Sequence, residues 1–336
     1  MKRITFHILL IGVVSLFLVT LWFKNGNILG TAESALPFYN LKINYEISRW
    51  AWMYPGLGNA SGTITASSPT YFVLSKLQET GVPGFLIQAT FFWFIFFTSG
   101  VSMYLLLCEI FPEARITSRL IAVFFYWFNP LFIANIWNRF LNNHMVFMAL
   151  IPTAILFFIK GLKKKNIGFA VLTSFSSIVF SYAFTSTAFV MLFWGSLIFT
   201  FLFYYEPKKK VFFFSYLTTS FLTFTMFNFW WIWQIFSYTT TRTYQKAIQS
   251  FFSSELNLSI LSAISRRVGN LSEAIRLIHK DFFTQGLPWA KVFEKTPLVF
   301  VEFLVPGIIF YTIYKFRKDK RVLFLGTLFI ASLFLT

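Results

Sequence analysis

Residues 84–108 read GFLIQATFFWFIFFTSGVSMYLLLC and contain no Asp, Glu, Lys or Arg. A helix needs roughly 20 consecutive apolar residues to cross a bilayer, so this run predicts a transmembrane helix. Comparable apolar stretches recur along the chain, at approximately 4–23, 119–137, 144–160, 167–185, 187–205, 211–236 and 298–314. A further stretch begins at Val322 and reaches Thr336 before it could cross, so we expect the natural chain to continue beyond Thr336.

The composition supports a membrane protein. The 336 residues are 57% hydrophobic and 12% charged, whereas a soluble protein carries about a quarter charged residues. No water-soluble core of this size could bury 49 Phe and 11 Trp. We therefore expect an all-α polytopic protein with about eight to nine transmembrane helices. Residues 1–336 would form one transmembrane domain, truncated at its C-terminus.

The basic residues predict the topology. Lys/Arg clusters precede the first span and follow the second, fourth, sixth and eighth spans, at 2–3, 115–119, 160–165, 208–210 and 315–321. Loops rich in Lys and Arg stay in the cytoplasm, so the pattern predicts a plasma-membrane protein with a cytoplasmic N-terminus. Basic inner loops beside an anionic leaflet account for most of the formal net charge of +17, so no nucleic-acid partner is expected.

Two large loops would then lie outside the cell, at 24–83 and 237–297. In the first loop, residues 39–53 place Leu41, Ile43, Ile47, Trp50 and Met53 mostly on one side of a helix, with charged residues opposite. This pattern is typical of a helix lying in the membrane interface. Residues 271–283 of the second loop also predict an amphipathic helix.

The acidic residues narrow the chemistry. The chain has only 12 of them, and no predicted span carries one near its middle, which disfavours a proton- or cation-coupled transporter. Glu33 stands about ten residues after the first span, just before the predicted interfacial helix. A carboxylate held against the membrane could act as a general base on an acceptor hydroxyl. The alternative is an ordinary solvated loop glutamate.

Four stretches between Gly30 and Gly161 carry a resemblance to a known family. They read AESALPF (32–38), SSPTYF (67–72), YWFNP (126–130) and NHMVFMALIP (143–152). In order and spacing they resemble the C-type glycosyltransferases, and most closely arabinofuranosyltransferase-like membrane proteins. That resemblance implies transfer of a sugar from a polyprenyl-phosphate donor to a glycan, lipid or protein acceptor on the outer face, with inversion at the anomeric carbon.

The resemblance also implies roles for particular residues. Glu33 would be the catalytic base. Arg139, His144, Asn143 and Arg49 would bind the substrate, since basic groups suit a carrier phosphate. A polar cap between two spans remains the alternative for Arg139 and His144, and a lipid-headgroup anchor remains the alternative for Arg49.

The sequence assigns no cofactor, and a divalent cation stays open as an alternative. Cys108 is the only cysteine, which rules out a cysteine-based metal site, and Glu33 has no acidic neighbour, so no paired-acid motif supports a divalent cation. The aromatic run 229–234 is interpreted as a lipid-carrier groove or as an interfacial aromatic belt. Two other functions stay open: a transporter or flippase of lipid-linked glycans, and a non-catalytic membrane subunit.

Overall fold

The computed structural model describes residues 2–30, 38–50, 52–53, 59–60, 62–129, 132, 140–255, 257–260, 262 and 296–334. These residues are mostly helical. The α-helices of eight or more residues are α1 Lys2–Trp22, α2 Leu41–Ser48, α3 Ser68–Glu79, α4 Gly84–Ile110, α5 Ile116–Phe128, α6 Asn142–Lys164, α7 Gly168–Val179, α8 Thr187–Tyr204, α9 Lys210–Phe227, α10 Phe229–Thr239, α11 Arg242–Ser253, α12 Thr296–Lys315 and α13 Lys320–Phe334.

Short elements complete this part of the chain. Trp52–Met53 (β1) pairs in an antiparallel register with Asn59–Ala60 (β2). Three 3₁₀ turns run over Gly62–Ser67, Ser181–Thr185 and Pro207–Lys209. The chain forms two compact units: unit 1 comprises residues 1–127 and 139–238, and unit 2 comprises 128–138 and 239–336.

Four of the described helices are long and apolar enough to cross a bilayer: Ile4–Trp22 within α1, and α4, α6 and α8. Shorter apolar helices accompany them at Ile116–Phe128, Gly168–Val179 and Phe303–Lys315. These helices indicate an integral membrane protein, as the sequence predicts, because a helix satisfies its own backbone hydrogen bonds within lipid.

Helix α6 is the centre of unit 1. In its most apolar window 78% of the residues are buried, against 22% in α1. It packs on α4, α7, α8 and the 3₁₀ turn at 181–185. Gly161 lets α9 approach closely, because an added Cβ would stand 2.1 Å from the Tyr216 hydroxyl. That hydroxyl donates to the Phe158 carbonyl at 3.3 Å.

Hydroxyl groups join the helices inside this apolar bundle. The Ser102 and Thr153 hydroxyls are 2.7 Å apart between α4 and α6. The Ser174 hydroxyl of α7 lies 2.7 Å from Thr223 Oγ1 and 2.9 Å from the Ser220 carbonyl, both on α9. Contacts between helices of this kind are worth about 0.6–2 kcal/mol each in membranes, so they help to fix which helices pair.

The single stretch predicted at 211–236 is divided into α9 and α10 at Asn228. The buried Asn228 side chain explains the break. Its Nδ2 donates to Ser177 Oγ at 2.6 Å and its Oδ1 accepts from Trp231 Nε1 at 2.9 Å. The predicted stretch 167–185 is also divided into two elements. Helix α7 ends at Val179, and a 3₁₀ turn covers Ser181–Thr185.

Unit 1 has two chemically different ends. The loop end is where α1 ends and α4 and α6 begin, and the lysine end is where α4 and α6 end. At the loop end, Phe140, which precedes α6, stacks on Phe92 near the start of α4 at 5.3 Å and meets Trp22 at the end of α1 at 5.7 Å. At the lysine end, Lys163 of α6 pairs with Glu109 of α4 at 2.9 Å. The basic clusters at 115–119, 160–165 and 208–210 lie at or next to the C-terminal ends of α4, α6 and α8.

The first loop is only partly as predicted. Helix α2 ends at Ser48, and Met53 belongs to β1, so the helical pattern proposed through Met53 is wrong. Leu41 is also misassigned: it is buried against α3 and does not share the exposed face. Ile43, Ile47 and Trp50 remain exposed by 53%, 40% and 64% and follow one helical stripe.

Unit 2 contains α11, α12 and α13. Helices α12 and α13 cover the apolar stretches predicted at 298–314 and from Val322. They pack on each other through the rings of Phe310 and Phe329, whose centroids are 5.8 Å apart. The amphipathic helix predicted at 271–283 lies outside the described residues.

Candidate functional site

The two residues given central roles by the resemblance, Glu33 and Arg139, lie outside the described residues. The chain on either side of them is described, however, and it is held at the loop end of unit 1. The candidate site comprises the residues that hold these flanking segments in place and the polar side chains around them.

Gln88 anchors the chain before Glu33. Its Oε1 accepts from the Leu29 backbone N–H at 2.8 Å, and its Nε2 donates to the Leu29 carbonyl at 2.6 Å. The Gln88 side chain lies in the second turn of α4 and is fully buried. Burial of an amide requires such paired hydrogen bonds, so the residue can be accommodated in an apolar helix only with Leu29 in place.

A second glutamine anchors the chain after Glu33. The Leu41 backbone N–H donates to Gln78 Oε1 of α3 at 2.9 Å. Asn40 caps α2, because its Oδ1 accepts from the Ile43 N–H at 3.0 Å. Phe38 is buried and meets Phe91 of α4 at 5.7 Å. Both flanks of the Glu33 segment are thus tied to α3 and α4.

Arg139 has a comparable anchor in its neighbour Phe140. Phe140 adopts a left-handed backbone conformation, with φ of 49°, which is costly for a residue with a bulky side chain. Its stacking on Phe92 and its edge contact with Trp22 hold that conformation. Gln88 and Phe92 stand four residues apart, so one face of α4 holds both anchors.

His144 and Asn143 lie together in the first turn of α6. His144 Nδ1 and Asn143 Oδ1 are 2.8 Å apart, and the half-buried imidazole makes an edge contact with Phe189 at 4.8 Å. Within the described part of the chain, Nε2 of His144 has no hydrogen-bond partner. The arrangement leaves one imidazole nitrogen for a ligand while the other fixes the orientation of the ring.

Arg49 belongs to a different surface. Its guanidinium pairs with Glu46 at 3.1 Å, and both side chains are about half exposed. It also lies over the Tyr45 ring at 5.7 Å. Among the described residues no contact joins Arg49 to His144. Of the three predicted substrate-binding residues that the structure describes, Asn143 and His144 lie together and Arg49 does not join them. An exposed ion pair of this kind contributes about 0–1 kcal/mol.

A pair of tyrosines at the loop end, Tyr71 buried and Tyr182 half-buried, was not predicted from the sequence. The Tyr71 and Tyr182 hydroxyls are 3.1 Å apart although the residues are 111 positions apart in the chain. Burial, together with the neighbouring Tyr182 phenol, raises the pKa of Tyr71 well above its ordinary value. Asn142, at the start of α6, also hydrogen-bonds to Tyr182. The pair therefore offers neutral hydroxyls, not phenolates.

The aromatic run at 229–234 faces two ways. Trp230 and Trp231 point inward, and Trp230 Nε1 donates to the Thr65 carbonyl at 3.0 Å, which ties α10 to the first loop. Phe229 and Trp233 are exposed and stack on each other at 5.7 Å. The Trp230 ring holds the first loop in place, Trp231 packs on Phe184 inside the bundle, and the outward rings form an apolar outer surface.

No three His, Cys, Asp or Glu side chains lie close enough to hold a metal ion within the ranges that the structure describes. In comparisons with protein-family models, curated proteins and solved structures, nothing matches this chain. Its function is therefore argued from the site.

Proposed function

We propose that this chain is a membrane glycosyltransferase that moves a sugar from a polyprenyl-phosphate donor to a glycan, lipid or protein acceptor on the outer face of the plasma membrane. In this proposal the chain has the C-type architecture, with eight to nine transmembrane helices, a cytoplasmic N-terminus and the loop end outside. Glu33 is the general base, and Arg139 with His144 and Asn143 holds the carrier phosphate.

One observation carries the proposal. A single face of α4 holds the chain on the Glu33 side through Gln88 and on the Arg139 side through Phe92. These two sequence segments are about 110 residues apart, yet their anchors are one helical turn apart. Positioning an acid and a cation at the same end of an apolar bundle is what transfer from a lipid phosphate requires.

The lipid environment supports this chemistry. The loop end is reached by apolar helices, and the stripe formed by Ile43, Ile47 and Trp50 on and just after α2 is exposed, as expected for a segment lying at a bilayer surface. A polyprenyl-phosphate donor keeps its chain in the bilayer and its phosphate at that surface. In this proposal the donor phosphate and the bilayer surface both meet the protein at the loop end, beside Gln88 and Phe92.

The direct test is a transfer assay with purified protein in liposomes. The donor is a polyprenyl-phosphate sugar with a radiolabel in the sugar, and the acceptor is a lipid-linked glycan. The proposal predicts labelled acceptor and free polyprenyl phosphate. Movement of intact labelled donor between leaflets, without labelled acceptor, would support a flippase instead. If the labelled sugar is not transferred and the donor does not move between leaflets, the result would support a non-catalytic subunit.

A further inference from the structure

Unit 2 contains an open cleft of about 840 Å³ at the turn between α12 and α13. Residues 314–321 line it, and they include five cations and a single acid. The acid is Asp319, and the cations are Lys315, Arg317, Lys318, Lys320 and Arg321. A concave surface with such an excess of positive charge attracts an anionic ligand.

The one acid in the cleft is occupied by a single neighbour. Arg321 donates to the Asp319 carboxylate through Nε at 3.0 Å and through Nη2 at 2.7 Å, which makes a bidentate pair. Asp319 also caps α13, because its Oδ1 accepts from the Arg321 backbone N–H at 2.9 Å. The other four cations are exposed and have no carboxylate partner within the described part of the chain.

Aromatic rings hold two of these four cations. Lys315 Nζ lies over the Tyr311 ring at 5.5 Å and over the Phe316 ring at 5.6 Å. The Arg317 guanidinium lies over the Tyr314 ring at 5.4 Å. A ring restrains a cation without neutralising its charge, so both groups remain available to an anion at a lower cost in side-chain entropy.

The surface beside the cleft suits a lipid. Ile308 of α12 and Leu325 and Ile330 of α13 are exposed on the two apolar helices that lead to the turn. Tyr311 and Tyr314 are exposed near the cations, and tyrosines concentrate where a membrane meets water. The cleft therefore offers cations to a headgroup and apolar surface to the lipid chains. A soluble anion would use only the cations.

We propose that this cleft binds the headgroup of a diphosphatidylglycerol lipid, in which one glycerol joins two phosphodiesters. A single phosphodiester carries one negative charge and would leave most of the four cations uncompensated. Two linked phosphodiesters bring both charges to the cleft in one binding event, which is more favourable than collecting two separate lipids. The site is independent of the proposed transferase activity and would hold its lipid in a transporter or subunit as well.

Native mass spectrometry of the purified protein in detergent tests the site. Diphosphatidylglycerol and phosphatidylglycerol are titrated at equal phosphate concentration, and the bound lipids are counted. We expect diphosphatidylglycerol to bind at least about tenfold more tightly. Equal affinity per phosphate would contradict the proposal. Inorganic pyrophosphate is the soluble competitor, and displacement of the lipid at an equal phosphate concentration would contradict it as well, because the cleft would then accept a soluble anion.

Two charge-matched variants locate the binding. The first combines Lys315→Gln, Arg317→Gln, Lys318→Gln and Lys320→Gln. The second combines Lys164→Gln, Lys165→Gln, Lys208→Gln and Lys210→Gln, at exposed positions of unit 1 that do not line the cleft. The first variant should raise the Kd for diphosphatidylglycerol at least about tenfold, and the second should change it little. Equal losses in both variants would indicate general electrostatic attraction and would contradict the proposal.

A charge-keeping variant separates binding from folding. Lys315→Arg, Lys318→Arg and Lys320→Arg retain the positive charges and add donors that suit phosphate oxygens. This variant should bind diphosphatidylglycerol within about threefold of the wild type. Its unfolding temperature without lipid should match that of the wild type. A loss of binding as large as that of the Gln variant would contradict a role for the charges themselves.

Discussion

The Gln88 side chain hydrogen-bonds to both backbone polar groups of Leu29, at 2.8 Å and 2.6 Å. The two residues are 59 positions apart, and the contact fixes the chain as it leaves the first apolar helix. Since the Glu33 segment begins directly after this point, the geometry of the candidate site depends on a residue inside α4.

Replacing Gln88 with Met keeps the size of the side chain and removes both hydrogen bonds. The Leu29 backbone groups then lose their partners, so we expect a destabilisation of about 1–3 kcal/mol. Thermal unfolding in detergent measures it, and hydrogen exchange at residues 24–30 should rise. Gln245→Met is the control, because Gln245 is exposed on α11. Equal unfolding temperatures for both variants would show that the two Gln88–Leu29 hydrogen bonds contribute nothing to stability.

Gly161→Ala should destabilise the bundle. Its new Cβ would fall 2.1 Å from the Tyr216 hydroxyl and push α9 away from α6. Overpacking of this kind typically costs about 1–3 kcal/mol. Gly195→Ala is the matched control within α8, because nothing lies within 4 Å of its added Cβ. Since Ala is the better helix former, the control should be neutral or slightly stabilising. A Gly161→Ala variant as stable as the control would refute the close contact.

The proposed orientation can be tested by cysteine labelling. In a Cys108→Ser background, Ser61→Cys and Ser262→Cys place thiols in the two large loops, and Lys208→Cys places one in a basic loop. An impermeant maleimide applied to intact cells should label the first two and spare the third. The reverse pattern would invert the topology and remove the site from the outer face.

How much of this structure follows from the sequence depends on the range of the interactions. The apolar run at 84–108 predicts α4 because membrane helices form from local hydropathy. The contact between Asn143 and His144 is likewise local. The break at Asn228 and the burial of Leu41 were not predicted, because each depends on a partner elsewhere: Ser177 for the first and α3 for the second.

The candidate site was less accessible to prediction than the fold. Gln88 looked like a single polar residue in an apolar run, and nothing local indicates that Leu29 is its partner. The Tyr71–Tyr182 pair has no sequence signature at all. Such contacts are decided by helix packing, which hydropathy does not encode.

Arg139 is the residue for which we expect the clearest effect on donor binding. Arg139→Ala should raise the apparent Kd for the lipid donor about 10- to 100-fold, since a charge-assisted hydrogen bond to phosphate is worth about 1.5–3 kcal/mol. Lys164→Ala, at the lysine end, is the control and should change it little. Small and equal effects of the two substitutions would make Arg139 a structural cap.

The central claim is that Glu33 acts as the general base in sugar transfer. Glu33→Gln keeps the shape of the side chain and removes its basicity, and general-base catalysis contributes about 10²–10⁴-fold. The measurement is the turnover of purified variants at saturating polyprenyl-phosphate donor, with Glu46→Gln as the control because Glu46 is half exposed and paired with Arg49. The account predicts a fall of at least about 100-fold for Glu33→Gln and near-native turnover for the control. Near-native turnover of Glu33→Gln would contradict the proposed mechanism.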